Sequence, residues 1–218
     1  MRSRLLDLFA GAGGSARGYQ LAGFHVTGVD NRPQPNYCGD EFFQADAMTF
    51  PLDGYDVIHA SPPCQAYSAM SNCRPGLADE YAALVDAVRD RLEATGKPWV
   101  IENVEGAPLA EQPTLGGLHG ITLCGRMFGL ELYRHRLFES NVPLRQPGHP
   151  PHRVPASKAG HWTPGTVISV SGNCAPIAMA RAAMDIDWMT RDELAEAVPP
   201  PYTQFIGEQL VIALERVQ

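Results

Sequence analysis

Two short segments of this chain set reactive side chains where a fold of strands and helices could use them. In Ser61-Pro62-Pro63-Cys64-Gln65 a thiol follows closely on the apolar run Asp56 to Ala60, which reads as a strand. The two prolines fix a turn, so Cys64 is presented past a strand end. Positive charge nearby would raise its thiolate fraction and make it a nucleophile. The other reading of a lone cysteine is a small buried hydrophobe, which these flanks suit poorly. In Glu102-Asn103-Val104 a carboxylate ends a second apolar run, Trp99 to Glu102. Desolvated, such an acid keeps a proton it can share with a bound group; solvated, it is an ordinary strand-end charge.

A third segment, Asp7-Leu8-Phe9-Ala10-Gly11-Ala12-Gly13-Gly14, sits where a strand gives way to a helix. Glycines there let backbone approach a ligand at the carboxyl edge of a sheet. Gly11, Gly13 and Ala16 satisfy a loose G-x-G-x-x-A, and Asp30 ends the next strand, where a carboxylate can accept both hydroxyls of an adenosine ribose. Asp46, after a short third strand, could accept from an adenine amino group. On these residues alone a dinucleotide and S-adenosylmethionine are both open, as is plain solvation of Asp30 and Asp46.

The elements that must position these groups alternate as in a parallel sheet flanked by helices. Strands are predicted at Leu5–Phe9, Phe24–Asp30, Glu41–Ala45, Asp56–Ala60 and Trp99–Glu102, with further ones at Leu123–Phe128 and Arg136–Phe138. Helices are predicted at Gly14–Ala22 and Asp79–Ala94. Thr190–Val198 reads as a helix with Thr190 as N-cap and Glu193 three residues on. Pro199-Pro200-Pro201 breaks it, and Phe205–Val217 forms the last helix. Between Ser140 and Pro176 seven prolines and four glycines fall in 37 residues, a composition that builds no conventional core of its own. The expected division is an α/β core over 1–139, a small irregular lobe over 140–181, and helices over 182–218 that return to the core.

Composition narrows the setting. The chain has 218 residues, 44% hydrophobic and 19% charged, as in ordinary globular proteins, and no apolar run of membrane-spanning length. Asp7 interrupts the apolar start too early for a signal peptide, and five irregularly spaced cysteines fit a reducing cytoplasm better than a disulfide framework. The net charge of −7 is unevenly spread: residues 140–181 hold no acid but carry Arg145, Arg153, Lys158 and Arg181. Such a local positive field suits phosphate contact, and equally suits a solvated loop. His149, His152, His161 and Cys174 match no standard zinc spacing, so surface histidines and no metal are expected.

Taken in order, Asp7 to Gly14, Ser61 to Gln65, Glu102 to Val104, Arg134-His135-Arg136, and Pro200-Pro201-Tyr202 through Ile206-Gly207 resemble the motifs of the DNA cytosine carbon-5 methyltransferases. The P-C-Q and E-N-V pair after a glycine-rich first turn is the most specific part. The resemblance implies a Rossmann-like S-adenosylmethionine-dependent methyltransferase fold and transfer of a methyl group to carbon 5 of cytosine in DNA. It implies Cys64 as nucleophile, Glu102 as base-activating acid, Arg136 at the cytosine carbonyl, and Arg134 beside Cys64 and Glu102. Phe9, Ala10, Gly11, Gly13, Gly14, Asp30, Asn31, Asp46, Ala47, Pro62, Gly207 and Glu208 would surround the cofactor. Gln65, Ser68, Arg145, Arg153, Lys158 and Arg181 would meet DNA, with the target base flipped out of the duplex.

The chain departs from the family pattern in four ways. Leu132 stands where Gln is usual, Glu208-Gln209 where Asn-Ser is usual, and Asp30 where Glu is usual. The recognition region is also far shorter than the family's. That shortness implies relaxed or short-site specificity, or help from a dimer or a specificity partner. Other readings stay open: a related activity on transfer RNA, a nicotinamide oxidoreductase resting on the glycine turn and Asp30, or a silent nucleic-acid-binding relative.

Overall fold

The computed structural model describes residues 2–63, 77–111 and 117–216, giving only the helical backbone over 77–83. Among the described residues seven strands form one sheet: β1 (Arg4–Leu8), β2 (His25–Asp30), β3 (Glu41–Gln44), β4 (Val57–Ala60), β5 (Trp99–Asn103), β6 (His119–Leu123) and β7 (Arg136–Ser140). Their spatial order is β3-β2-β1-β4-β5-β7-β6. Pairs among β1 to β5 are parallel, and β7 runs antiparallel to both of its neighbours. The expected α/β architecture with a mostly parallel sheet is thus the fold observed.

Alternation along the strands builds two apolar layers. On β1, Leu5 joins Val26, Val57 and Val100 under α1 (Gly14–Leu21) and α5 (Pro200–Glu215). Leu6 and Leu8 face the other way with Ile58, Ala60, Trp99 and Ile101, covered by Val85, Val88 and Leu92 of α2 (Leu77–Glu93). Strands covered on both faces are apolar at nearly every position, which is why they were legible as runs. Each fully buried aliphatic contributes roughly 1.5–3 kcal/mol of transfer free energy.

Several elements differ from expectation. The run at 123–128 splits into the end of β6 and a 3-10 turn, Gly125–Phe128. The final helix begins at Pro200, because proline costs nothing in a first turn whose N–H groups lack helical acceptors. An unexpected helix, α3 (Ile177–Met184), crosses the boundary drawn at residue 181. It packs with Val167, Ile168, Val170, Met189 and Leu194 of α4 (Arg191–Glu196), and Ala12 and Leu132 of the core join the same cluster. The lobe therefore shares a core with its neighbours. The capping box of α4 forms as expected: Thr190 N–H donates to Glu193 Oε2 at 2.7 Å and Glu193 N–H to Thr190 Oγ1 at 3.4 Å. Among the described residues no helix is long and apolar enough to cross a membrane.

The strand order reverses between β1 and β4, which opens a crevice at their carboxyl ends, where sheets of this kind bind ligands. Because β7 runs backward, its first residue, Arg136, reaches that same rim beside Asn103 and Leu123.

Candidate active site

The turn after β1 is built by backbone geometry. Phe9 at φ 60°, Gly11 at 50° and Gly13 at 88° all take left-handed conformations. A Cβ on Gly13 would lie 2.9 Å from Cys38 Sγ, whereas one on Gly11 would meet nothing within 4 Å. The turn is thus closed on one side and open on the other. Gly13 caps α1 without a side-chain hydrogen bond, which leaves the helix's first N–H groups free of a side-chain cap. Buried Asp30 accepts from Gly11 N–H at 3.0 Å and Arg32 N–H at 2.9 Å, one on each carboxylate oxygen. Each oxygen retains a second acceptor site. Ala10 and Gly14 are buried within the turn; Asn31 and Asp46 are exposed, and Ala47 is buried. Asp46 Oδ1 accepts from Met48 N–H at 2.9 Å.

Across the crevice, Asn103 ties two strand ends together. Its side-chain amide donates to the Pro62 carbonyl at 3.0 Å in a buried contact, which fixes the turn leading to Cys64. Cys64, Gln65 and Ser68 themselves lie outside the described residues. Glu102 is 6% exposed and lies 3.0 Å from Arg136 Nε. Burial pushes its carboxyl above the ordinary range, against the pull of Arg136, the Ser61 hydroxyl and Arg134.

Sequence reasoning missed what lies beneath Glu102. Tyr19 Oη is 2.9 Å from His59 Nδ1, and His59 Nε2 is 2.9 Å from Ser61 Oγ. Burial pushes His59 down to about 3, so its ring is neutral. With Tyr19 donating to Nδ1, the ring donates from Nε2 to Ser61, whose hydroxyl then donates to Glu102. Asp7 sits beside this chain, fully buried, and neither of its oxygens has a hydrogen-bond partner among the described residues. Burial, then Asp30 and Glu102, raise its carboxyl well above the usual value. The His59 signal was a polar residue inside an otherwise apolar strand.

Arg134 plays a different part from its neighbour. Its Nε donates to the Ala197 carbonyl at 3.0 Å, Nη2 to Ala195 at 2.6 Å, and Nη1 to Val170. It therefore binds the carboxyl end of α4 and the lobe onto the rim, while its charge still reaches Glu102. Beside both arginines lies a cavity of ≈ 230 Å³ lined also by Leu132, Ile168, Ser169, Val170 and Ser171.

Other expected residues do not converge here. Gly207 packs against Ala22 and Tyr19, where a Cβ would lie 2.6 Å from Ala22 Cβ. Gly14 instead faces the Val198 carbonyl. Gly207 thus packs near the end of α1 that lies opposite the turn. Its lack of a side chain serves helix packing, and Glu208 is exposed and accepts from Gln204. Arg145 follows the far end of β7, and its backbone bonds Gln209, away from the rim. Arg181 spends its guanidinium on the Met189 carbonyl. Arg153 and Lys158 are exposed on the lobe. His161 N–H bonds the Lys158 carbonyl, and the buried Cys174 Sγ is 3.8 Å from the Arg191 carbonyl.

Comparison with known proteins agrees with this fold. A type II methyltransferase of Picosynechococcus sp., M.AquIA, is 32% identical over 127 residues, covering 49% of this chain and 50% of that protein. The chain thus matches about half the length of that relative. The crystal structure of S. pombe Dnmt2 methyltransferase superposes with a TM-score of 0.60 at 13% identity, covering all of both chains. Entamoeba histolytica methyltransferase EhMeth superposes at 0.62 with 12% identity, covering 98% of this chain and 99% of that one. Those two likenesses establish the fold. The family model for C-5 cytosine-specific DNA methylase matches residues 3–112, which include the glycine turn, the Pro62-Pro63-Cys64 segment and Glu102, so the chain belongs to that family.

Proposed function

We propose that this chain transfers a methyl group from S-adenosylmethionine to carbon 5 of cytosine in DNA, with Cys64 as nucleophile. The observation that carries the reading is Glu102: buried at the crevice rim, held by Arg136 at 3.0 Å, with a carboxyl raised by burial. An acid in that state can share a proton with ring nitrogen 3 of cytosine and accept from the exocyclic amine. Drawing electron density to nitrogen 3 makes carbon 6 electrophilic. The Cys64 thiolate then adds there, the ring becomes an enamine, and carbon 5 becomes nucleophilic enough to take the methyl group. Loss of the carbon 5 proton to a base or water lets the thiolate leave and restores the aromatic ring. Arg136 would hold the cytosine carbonyl while steadying Glu102.

S-adenosylmethionine supplies the methyl group as an electrophilic sulfonium. The residues present fit it: Gly11 leaves open space, α1 offers N–H groups without a side-chain cap, and Asp30 keeps an acceptor site on each oxygen. Phe9, Ala10, Gly13, Gly14, Asn31, Asp46, Ala47 and Pro62 complete the cradle, and Gly207 and Glu208 are left out of it. The target base would flip out of the duplex, since a thiol on the rim cannot reach carbon 6 inside it.

Arg153 and Lys158 are the lobe cations proposed to meet phosphate, and so small a lobe would read few base pairs. Relaxed or short-site specificity, or a dimer or separate specificity subunit, follows from that. The type II relatives suggest a role in DNA modification, with the cytoplasm as its compartment. Labelled-methyl incorporation into duplex DNA, single-stranded DNA and RNA tests the reading. Label at cytosines of duplex DNA, lost about 10²–10⁴-fold in Glu102→Ala, is expected. Label confined to RNA, or absent from all three polymers, would overturn it.

A further inference from the structure

Four metal-ligating side chains that the methyl-transfer chemistry does not use converge beside the rim. Cys124, His135, His149 and His152 each offer one ligand atom, and all four atoms lie within 4.8 Å of one another. They come from separate parts of the chain. Cys124 directly follows β6 and is buried, and His135 sits between Arg134 and Arg136. His149 and His152 are exposed on the Pro-rich segment. The pattern Cys124-x10-His135-x13-His149-x2-His152 matches no familiar spacing, which is why the sequence pointed to no metal.

The separations approach those of a tetrahedral ion. Cys124 Sγ is 3.3 Å from His152 Nε2, and His135 Nε2 is 3.1 Å from His149 Nε2. Around zinc, bonds of about 2.3 Å to sulfur and 2.0–2.1 Å to nitrogen put neighbouring ligand atoms roughly 3.3–3.6 Å apart. The rings are also held in place. His152 stacks on Tyr133 with centroids 3.7 Å apart and planes 13° apart. His135 turns Nδ1 toward Glu105 Oε2 at 3.6 Å, so the opposite nitrogen, Nε2, faces the cluster. A carboxylate on the far nitrogen is the usual outer partner of a metal-binding histidine.

We propose that Cys124, His135, His149 and His152 bind one zinc ion per chain. One thiolate and three neutral imidazoles suit zinc, and four protein ligands make a closed, structural site. The ion would fasten the Pro-rich segment to the stretch that carries Arg134 and Arg136. Residues 145–156, which carry His149 and His152, are exposed at all but one position and have no core of their own to hold them.

The test is metal analysis of the whole purified protein, with cobalt substitution as the spectroscopic readout. One zinc per chain is expected, and cobalt should show a thiolate-to-metal charge-transfer band that Cys124→Ser abolishes. His149→Ala combined with His152→Ala, both exposed and so compatible with folding, should weaken zinc binding at least about 100-fold. Glu105→Gln should weaken it about 10–100-fold. His161→Ala should leave it unchanged. Less than a tenth of an equivalent of zinc with no cobalt–thiolate band would overturn the proposal, and so would full zinc binding by the double histidine variant.

Discussion

Replacing Arg134 by lysine separates two roles that an arginine in this motif could have. The guanidinium spans three carbonyls, on Val170, Ala195 and Ala197, in two separate stretches of chain. A lysine ammonium keeps the charge near Glu102 but cannot bridge all three. Each charge-assisted hydrogen bond contributes about 1.5–3 kcal/mol net. Bonds sharing one side chain do not add fully, so the docking of this region should weaken by about 3 kcal/mol. That is about a 150-fold shift in its local opening equilibrium. Hydrogen exchange read by mass spectrometry is the assay. Amides across 165–197 should exchange about 100-fold faster, while those of β1 and β4 keep their protection. Methyl transfer should fall with the loosened lobe, and its pH dependence should hold. Unchanged protection across 165–197 with activity lost would refute the docking role and assign Arg134 to the base.

Three further outcomes follow from the packing. Asp7 is raised by burial and by neighbouring acids, so the folded state holds its proton more tightly than the unfolded state does. The stability it contributes is full below its ordinary value of 3.8 and is lost as pH rises through the raised one. Asp7→Asn should therefore gain stability relative to wild type as pH rises from about 4 to 8 in urea melts, and parallel curves would contradict this. Glu139 is 1% exposed and accepts from Arg89 Nε and Ala110 N–H, both at 2.6 Å. Glu139→Ala leaves Arg89 without its buried partner and should cost about 3–5 kcal/mol, or roughly 6–20 °C in Tm by calorimetry. Gly207→Ala should lower Tm through the clash with Ala22 while leaving KM for S-adenosylmethionine unchanged; a raised KM at unchanged Tm would return Gly207 to the cofactor site.

What the sequence made legible was local. Apolar runs such as Leu5-Leu6 and Trp99-Val100-Ile101 announced buried strands, and glycines and carboxylates at their ends marked the crevice rim. Direction was not legible. Nothing in Arg136–Ser140 says that β7 runs backward, yet that reversal is what brings Arg136 to Glu102. Proline misled at α5, because it ends a helix from within but begins one freely. Gly207 could not be placed from its type, because glycine serves both close helix packing and close ligand approach. The chain Tyr19–His59–Ser61 and the group Cys124–His135–His149–His152 join residues far apart in sequence, so they emerge only once the sheet is assembled.

The central claim concerns one thiol and one carbon. Incubating the protein with 5-fluorocytosine duplex DNA and S-adenosylmethionine blocks removal of the group at carbon 5 and so traps the adduct. A covalent protein–DNA complex that survives denaturation in wild type and is missing in Cys64→Ser is the result this account predicts. Wild-type protein that binds the DNA yet forms no such complex would contradict it.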